Sequence, residues 1–575
     1  MSRSSLSPSA LTLAFALALG ACAAPPGESP TATADPRFDW FEYSGSDPVF
    51  ERFPAGPGQY HNPILAGFYP DPSITRVGDD YYIVNSTFTF FPGIPVFHSR
   101  DLVNWTQIGN VIDRPSMLDF DSLGISRGVF APTIEHHEGL FYVLNTCVDC
   151  GGNFLVTATD PAGPWSDPVW LREVDGIDPS LFFDDDGKAY ILNNGAPIGR
   201  PLYDGHRAIW IQEFDPASRR MVGDRTLIVN GGVDISQRPV WIEGPHIYKR
   251  NGWYYLSAAE GGTAVDHSQV ILRSRNVRGP YEPGPDNPIL TQRHLDPARP
   301  FPVTSAGHAD FVQTPNGDWW TIFLAVRPYR EDYHNIGRET FLLPVRWEGE
   351  WPSILSGDAV IPHVAPRPDL PAQPAPEVPM SGNFTVREEF DDPELAPYWS
   401  FIRTPRERWH ELSAGSLTLR ARPEHIGRRA QPSFVGRRQQ HHWMTASTAM
   451  HYRPAAADDR AGLIAFQNDD FYYLLAVTLV EGRPVVRLER AAGAGQGASP
   501  TVIATAPVDL DRRGPIHLRI DARGDEYDFY YGYAPDEWIA LHTGADGTIL
   551  STRSSGGFGG AFVGTMLGLY AYRAP

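Results

Sequence analysis

Cysteine is nearly missing from this chain: there are three in 575 residues, and Cys22 sits at the end of an apolar N-terminal run. The other two, Cys147 and Cys150, make a single CxxC in the phrase Thr146-Cys147-Val148-Asp149-Cys150-Gly151-Gly152. One pair falls short of the four ligands of a structural zinc site. No βαβ pattern surrounds it, so thioredoxin chemistry is excluded as well. Two readings stay open: a local disulfide formed in an oxidising compartment, or two free thiols. Positive charge is also scarce. Lys and Arg number 48 against 68 Asp and Glu, for a net charge of −20. A nucleic-acid ligand needs a basic footprint, so that class is excluded. The surplus of acid reads as solubility. Long apolar runs are lacking too, since Leu11 to Leu19 is too short to span a bilayer. Few segments repeat with helical periodicity.

Aromatic residues are abundant, with 30 Phe, 24 Tyr and 15 Trp. Glycine and proline number 54 each and punctuate the whole chain. Five times a glycine turn leads into aromatic strand residues: Gly78-Asp79-Asp80-Tyr81-Tyr82, Gly139-Leu140-Phe141-Tyr142, Gly187-Lys188-Ala189-Tyr190, Gly252-Trp253-Tyr254-Tyr255 and Gly317-Asp318-Trp319-Trp320. Counted from the last aromatic of each, the intervals are 60, 48, 65 and 65 residues. Such phrases are hairpin signals, and their spacing predicts an all-β, five-bladed propeller.

The repeat also points to chemistry. Eleven residues before Tyr82 lies Asp71, and twelve before the other four aromatics lie Phe130, Asp178, Glu243 and His308. In equivalent blades these five share one level, expected on the innermost strands around the channel. Carboxylates facing one another there must shift each other's pKa. Each acid sits in a stiff proline-bearing phrase: Tyr69-Pro70-Asp71-Pro72-Ser73, Ile177-Asp178-Pro179-Ser180 and Glu243-Gly244-Pro245-His246. A lone Asp-Pro-Ser is a turn signal. Two copies plus a glutamate, in phase with a five-fold repeat, suit glycoside hydrolysis, which needs one protonated and one ionised carboxyl. A third acid near the donor keeps it protonated.

Five segments are expected. Residues 1–22 form a lipoprotein-type signal peptide, because Leu19-Gly20-Ala21-Cys22 resembles a bacterial lipobox, with Cys22 as the lipidated residue. Ala23 follows, which resembles lipoproteins sent on to the outer membrane, and the membrane would be met only through this anchor. Residues 23–56 read as tether and N-terminal extension, and 57–352 as the propeller. Residues 353–383 are a linker, with seven prolines between Pro362 and Pro379. Residues 384–575 alternate as in a two-sheet β-sandwich.

Asn62 to Ser73, Phe97-His98-Ser99-Arg100-Asp101-Leu102-Val103-Asn104-Trp105, Glu243-Gly244-Pro245-His246, Ala259-Glu260-Gly261-Gly262-Thr263 and Gly337-Arg338-Glu339-Thr340 stand in an order that closely resembles glycoside hydrolase family 43. That is the β-xylosidase and α-L-arabinofuranosidase group. The resemblance spans about residues 57 to 575 and implies a five-bladed propeller with an added concanavalin-like sandwich. It implies Asp71 as general base, Asp178 as the residue that raises and orients the acid, and Glu243 as general acid. Arg338 would hold sugar hydroxyls, and Phe88, Thr263 and His308 would line the sugar site. Phe130 stands where family β-xylosidases often carry tryptophan, which reshapes that wall. Family sandwiches insert an aromatic into the pocket. Phe558, flanked by glycines, is chosen over Phe562; the rival reading is a hairpin with a core phenylalanine. His308 could touch a channel calcium, but a neutral imidazole facing the sugar is preferred, since no dense acidic cluster specifies the ion. No cofactor is required. The expected activity is exo-acting, inverting release of terminal xylose or arabinose from oligosaccharides. The rivals are an endo-arabinanase, a retaining fructosidase, and a sugar-binding propeller without turnover.

Overall fold

The computed structural model describes residues 35–355, 357–493, 495, 499–555 and 561–575. Cys22 and Phe558 lie outside them. The fold is almost entirely β, with one five-residue α-helix, Pro48–Arg52, among the described residues.

Five antiparallel sheets follow one another along the first domain. Their opening strands are Ser73–Val77, Thr133–His137, Ile177–Phe183, Glu243–Arg250 and Thr304–Gln313. Each opening strand contacts the next, and the last contacts the first, so the five close into a ring of propeller blades. The aromatics of the repeated phrase lie on the second strand of each sheet: Asp80–Val84, Leu140–Val148, Ala189–Gly195, Trp253–Glu260 and Trp319–Val326. Tyr142, Tyr190, Tyr255 and Trp320 are buried between sheets, and Tyr82, half-buried, meets Phe141 of the neighbouring sheet edge-on at 5.1 Å and 79°. That burial explains the repeat, since an inter-blade layer needs a large apolar side chain at the same place each time. The ring is tied shut from outside. Asn62 Nδ2 donates to Leu342 O at 2.9 Å, its Oδ1 accepts from Leu342 N at 2.9 Å, and Tyr60 donates to the same carbonyl at 2.6 Å.

The second domain packs an eight-stranded sheet against a six-stranded one around a large core that includes Phe41, Trp409, Leu463, Leu518 and Leu569. One boundary is corrected. Within the segment read as tether and extension, Arg37–Gly45 is a strand of the larger sheet, seated between Leu417–Leu419 and Trp443–His451. Phe38, Phe41 and Tyr43 enter the core, while a register shift between Phe38 and Trp40 breaks the period-two pattern. That shift hides the strand from a reading by alternation. The proline-rich segment is docked, with Val364–Pro366 pairing Gln59–His61 and Arg367 donating to Asp101 at 2.5 Å. Cys147 and Cys150 form a disulfide, which decides between the two readings of that loop.

A buried polar lock joins the domains. Buried Arg327 pairs with Glu339 at 2.7 Å and with Asp47 at 2.9 Å, and Asp47 in turn accepts Trp443 N at 2.7 Å. Removing one partner of such a pair leaves an uncompensated buried charge, at a cost of about 3–5 kcal/mol. Arg438 adds a bond to Phe68 O at 2.6 Å, which holds the sandwich against the chain leading into Asp71.

Candidate active site

All five positions in phase with the repeat line one cavity of about 210 Å³, four at or just before the start of their opening strands and His308 within its own. The backbone there departs from regular strand. Asp71, Asp178 and His308 have φ of 50°, 54° and 54°. Register shifts fall at Ile177/Ser180, Glu243/His246 and Gly307/Asp310. Bulges of this kind re-aim a side chain. Left-handed non-glycine residues persist only where their surroundings hold them, which is common at functional sites. Gly244 is required by close approach: its φ is 54°, and a Cβ would lie 2.8 Å from His308 Nε2.

Asp71 accepts from Arg338 Nη1 at 2.7 Å and Nη2 at 3.3 Å, and from Ser86 Oγ at 2.6 Å. Burial pushes its carboxyl up, but Arg338, then His308 and Ser86, outweigh burial and leave it below the usual range. It is ionised at neutral pH. Asp178 is pushed up to about 7, first by burial and then by the charge of Asp71; a bond from Gly244 N at 3.2 Å opposes this. Glu243 is held well above the carboxylate range, first by burial and then by Asp178 and Asp71. The influence between these two runs from Asp178 to Glu243, whose proton the Asp178 charge helps to hold. His308 falls to about 4 because burial disfavours the imidazolium, so it is neutral. One ionised and one protonated carboxyl therefore meet in a single cavity. This is the equipment for activating water on one side of an acetal and protonating oxygen on the other.

Aromatic rings form the wall. Phe88 stacks on Phe562 at 5.7 Å and 15°, and Phe130 meets Phe88 edge-on at 5.2 Å and 67°. Phe562 comes from the sandwich, its amide held by Ser126 Oγ at 2.9 Å. The Arg338 guanidinium lies 5.6 Å from the Phe562 ring and donates to Thr263 Oγ1 at 3.0 Å. So the second domain does supply an aromatic to the pocket, and among the described residues it is Phe562. Arg127, Ile177 and Trp241 also line the cavity, and no motif in the sequence singles them out. Trp241 stands two residues before Glu243, and that nearness was the one available signal.

Residues 60–352 match the family described as Glycosyl hydrolases family 43. The chain belongs to that family. Residues 387–574 match the Beta xylosidase C-terminal Concanavalin A-like domain. A Xylosidase/arabinosidase of Butyrivibrio fibrisolvens is 39% identical over 517 residues, 89% of this chain and 95% of that protein. The non-reducing end α-L-arabinofuranosidase of Bacteroides ovatus is 37% identical, over 89% of this chain and 91% of its own. Among solved structures, a GH43_12 protein retrieved from a capybara gut metagenome superposes with a TM-score of 0.85 at 40% identity, covering 94% of this chain and 99% of its own.

The family 43 site makes a pH prediction. With Glu243 as the expected general acid, activity should need it protonated, and the alkaline limb of the pH profile should track its pKa. Asp178→Asn removes a like charge, lowers that pKa, and should move the alkaline limb to lower pH. A pH series of kcat/KM for wild type and variant checks the direction, and an unmoved or raised limb contradicts it.

Proposed function

We propose that this protein removes terminal pentose units, β-D-xylopyranosyl or α-L-arabinofuranosyl, from short plant-cell-wall oligosaccharides with inversion at the anomeric carbon. The observation that carries the reading is the split protonation of buried acids in one cavity: Asp71 is held ionised and Glu243 protonated. Asp71 takes a proton from water, whose oxygen attacks C1. Glu243 gives its proton to the glycosidic oxygen as the C1–O bond breaks, and Asp178 keeps Glu243 charged with that proton. Water and leaving group occupy opposite faces, so the anomer inverts. Phe88, Phe130 and Phe562 enclose the sugar, and Arg338 and Thr263 face its hydroxyls. A pocket with one wall supplied by Phe562 of the second domain admits a chain end and disfavours internal cleavage. The names of the relatives, xylosidase/arabinosidase and non-reducing end α-L-arabinofuranosidase, support the same reading.

The cell envelope is the proposed location. The lipobox-like Leu19-Gly20-Ala21-Cys22 and the disulfide support it, since disulfides persist in oxidising compartments.

Purified protein should hydrolyse p-nitrophenyl β-D-xyloside, p-nitrophenyl α-L-arabinofuranoside, or both. NMR of the first-formed sugar should show the inverted anomer. Retention would overturn the single displacement, and oligosaccharide fragments released without free pentose would overturn the exo reading.

A further inference from the structure

Trp241 is a large ring in an unusual place. Its φ is 50°, a left-handed backbone that a bulky residue avoids. Its ring is half-buried, lines the cavity beside Glu243, and belongs to none of the hydrophobic cores of the described residues. Folding therefore gains little from a conformation that costs about 1–3 kcal/mol. Three loops converge to hold it. Its amide donates to Gly205 O at 2.9 Å, and the preceding carbonyl, Val240 O, accepts from Gly261 N at 2.8 Å. Gly205, at φ 80°, leaves no room for a side chain, since a Cβ would lie 2.9 Å from Val240. Behind the indole stands Arg207, its guanidinium carbon 4.2 Å from the ring centre. Arg207 O is fixed by Gly231 N at 2.9 Å, while its buried Nε has no partner.

We propose that Trp241, clamped by Arg207, is the floor of the leaving-group subsite and selects a pyranose ring there. This rests on the pentosidase reading. The general acid protonates the glycosidic oxygen, so the leaving sugar must lie on the Glu243 side of the cavity. Trp241 is bound to that side by two peptide units. Phe88, Phe562 and Arg338 gather around Asp71 instead and wall the pentose that is cleaved. An indole presents a flat apolar surface. A chair with equatorial hydroxyls, such as xylopyranose, offers a matching face of C–H bonds, whereas a puckered furanose does not. Arg207 fixes the plane of the ring from one face and is the positioning residue. Its charge also acts on Glu243 and Asp178 and holds both pKa values lower than burial alone would. The substrates that fit carry a xylopyranosyl leaving group: xylo-oligosaccharides, or arabinofuranosyl branches on a xylan backbone.

The test uses the full chain, with xylobiose or an arabinofuranosyl-xylose disaccharide, whichever wild type cleaves, and arabinobiose for contrast. Trp241→Ala should raise KM for the xylose-leaving substrate about tenfold, the equivalent of one 1.4 kcal/mol step. KM for arabinobiose should rise less. Inhibition by the free pentose, which fills the cleaved-sugar pocket alone, should change less than twofold. Arg207→Lys keeps the charge, so it should raise KM with the alkaline limb unmoved. Arg207→Met removes the charge, so Glu243 should keep its proton to higher pH and the limb should move up. An unchanged KM in Trp241→Ala overturns the subsite. So does an equal loss of free-pentose binding, which would mean a collapsed pocket. A limb that stays put in Arg207→Met overturns the role of Arg207. If wild type releases no pentose from any of these sugars, the pentosidase reading itself fails and takes this subsite with it.

Discussion

Asp71→Asn should lower kcat about 10⁴-fold on natural and activated substrates alike, with thermal stability nearly retained. General-base catalysis contributes typically about 10²–10⁴-fold, and the upper end is expected because no other carboxyl of the cavity is held below the usual range. Asp178 and Glu243, the other two acids of the cavity, are both raised. A good leaving group does not help this variant, because the missing step is activation of water. Asparagine is the informative replacement. Asp71 is the counter-charge of Arg338, with both side chains less than a tenth exposed. Alanine there would strand a buried guanidinium, at about 3–5 kcal/mol, and would confuse unfolding with lost chemistry. The asparagine oxygen still accepts from Arg338 Nη1 and its amide nitrogen can donate to Ser86 Oγ, but neither atom can take a proton from water. Steady-state kinetics with a melting curve decide the matter. Activity above about a tenth of wild type would remove Asp71 from the role of base.

Glu243→Ala should divide substrates by their leaving groups. For xylobiose, whose alkoxide leaves poorly, kcat should fall about 10³-fold, within the range for loss of an acid catalyst. For a 2,4-dinitrophenyl pentoside, whose phenolate leaves without a proton, the fall should be about tenfold. The alkaline limb should also vanish from the pH profile of the activated substrate, since the group that titrates there is gone. The physical basis is the raised pKa of Glu243, set first by burial and then by Asp178 and Asp71. A glutamate with the usual carboxylate pKa would be ionised at neutral pH and could donate nothing. Equal losses on both substrates would show that Glu243 holds the sugar and does not transfer a proton.

Much of this was legible in the chain because the propeller is periodic. Each blade packs one aromatic of its second strand against a neighbouring sheet, so the aromatics recur in register with the fold. Any residue at a constant offset from them shares a radial level. Asp71, Phe130, Asp178, Glu243 and His308 line one cavity for that reason. The glycine turns and prolines mark hairpins by local backbone sterics, which act within a few residues and need no tertiary knowledge. The shortage of basic residues excluded nucleic acid without any knowledge of the fold.

What stayed hidden depended on contacts between distant segments. The strand Arg37–Gly45 belongs to a sheet whose other members begin near residue 385, and no local signal says which partner a half-buried strand will find. Trp241 was in plain view beside Glu243, but its strained φ and its seat on Arg207 come from loops that only the folded blades bring together. Phe562 reaches Phe88 across the domain boundary. The protonation states were decided last. The sequence by itself determined which carboxyls share the channel. Tertiary structure decided which one carries charge, because Arg338 and Ser86 converge on Asp71 while Glu243 is left among like charges and burial.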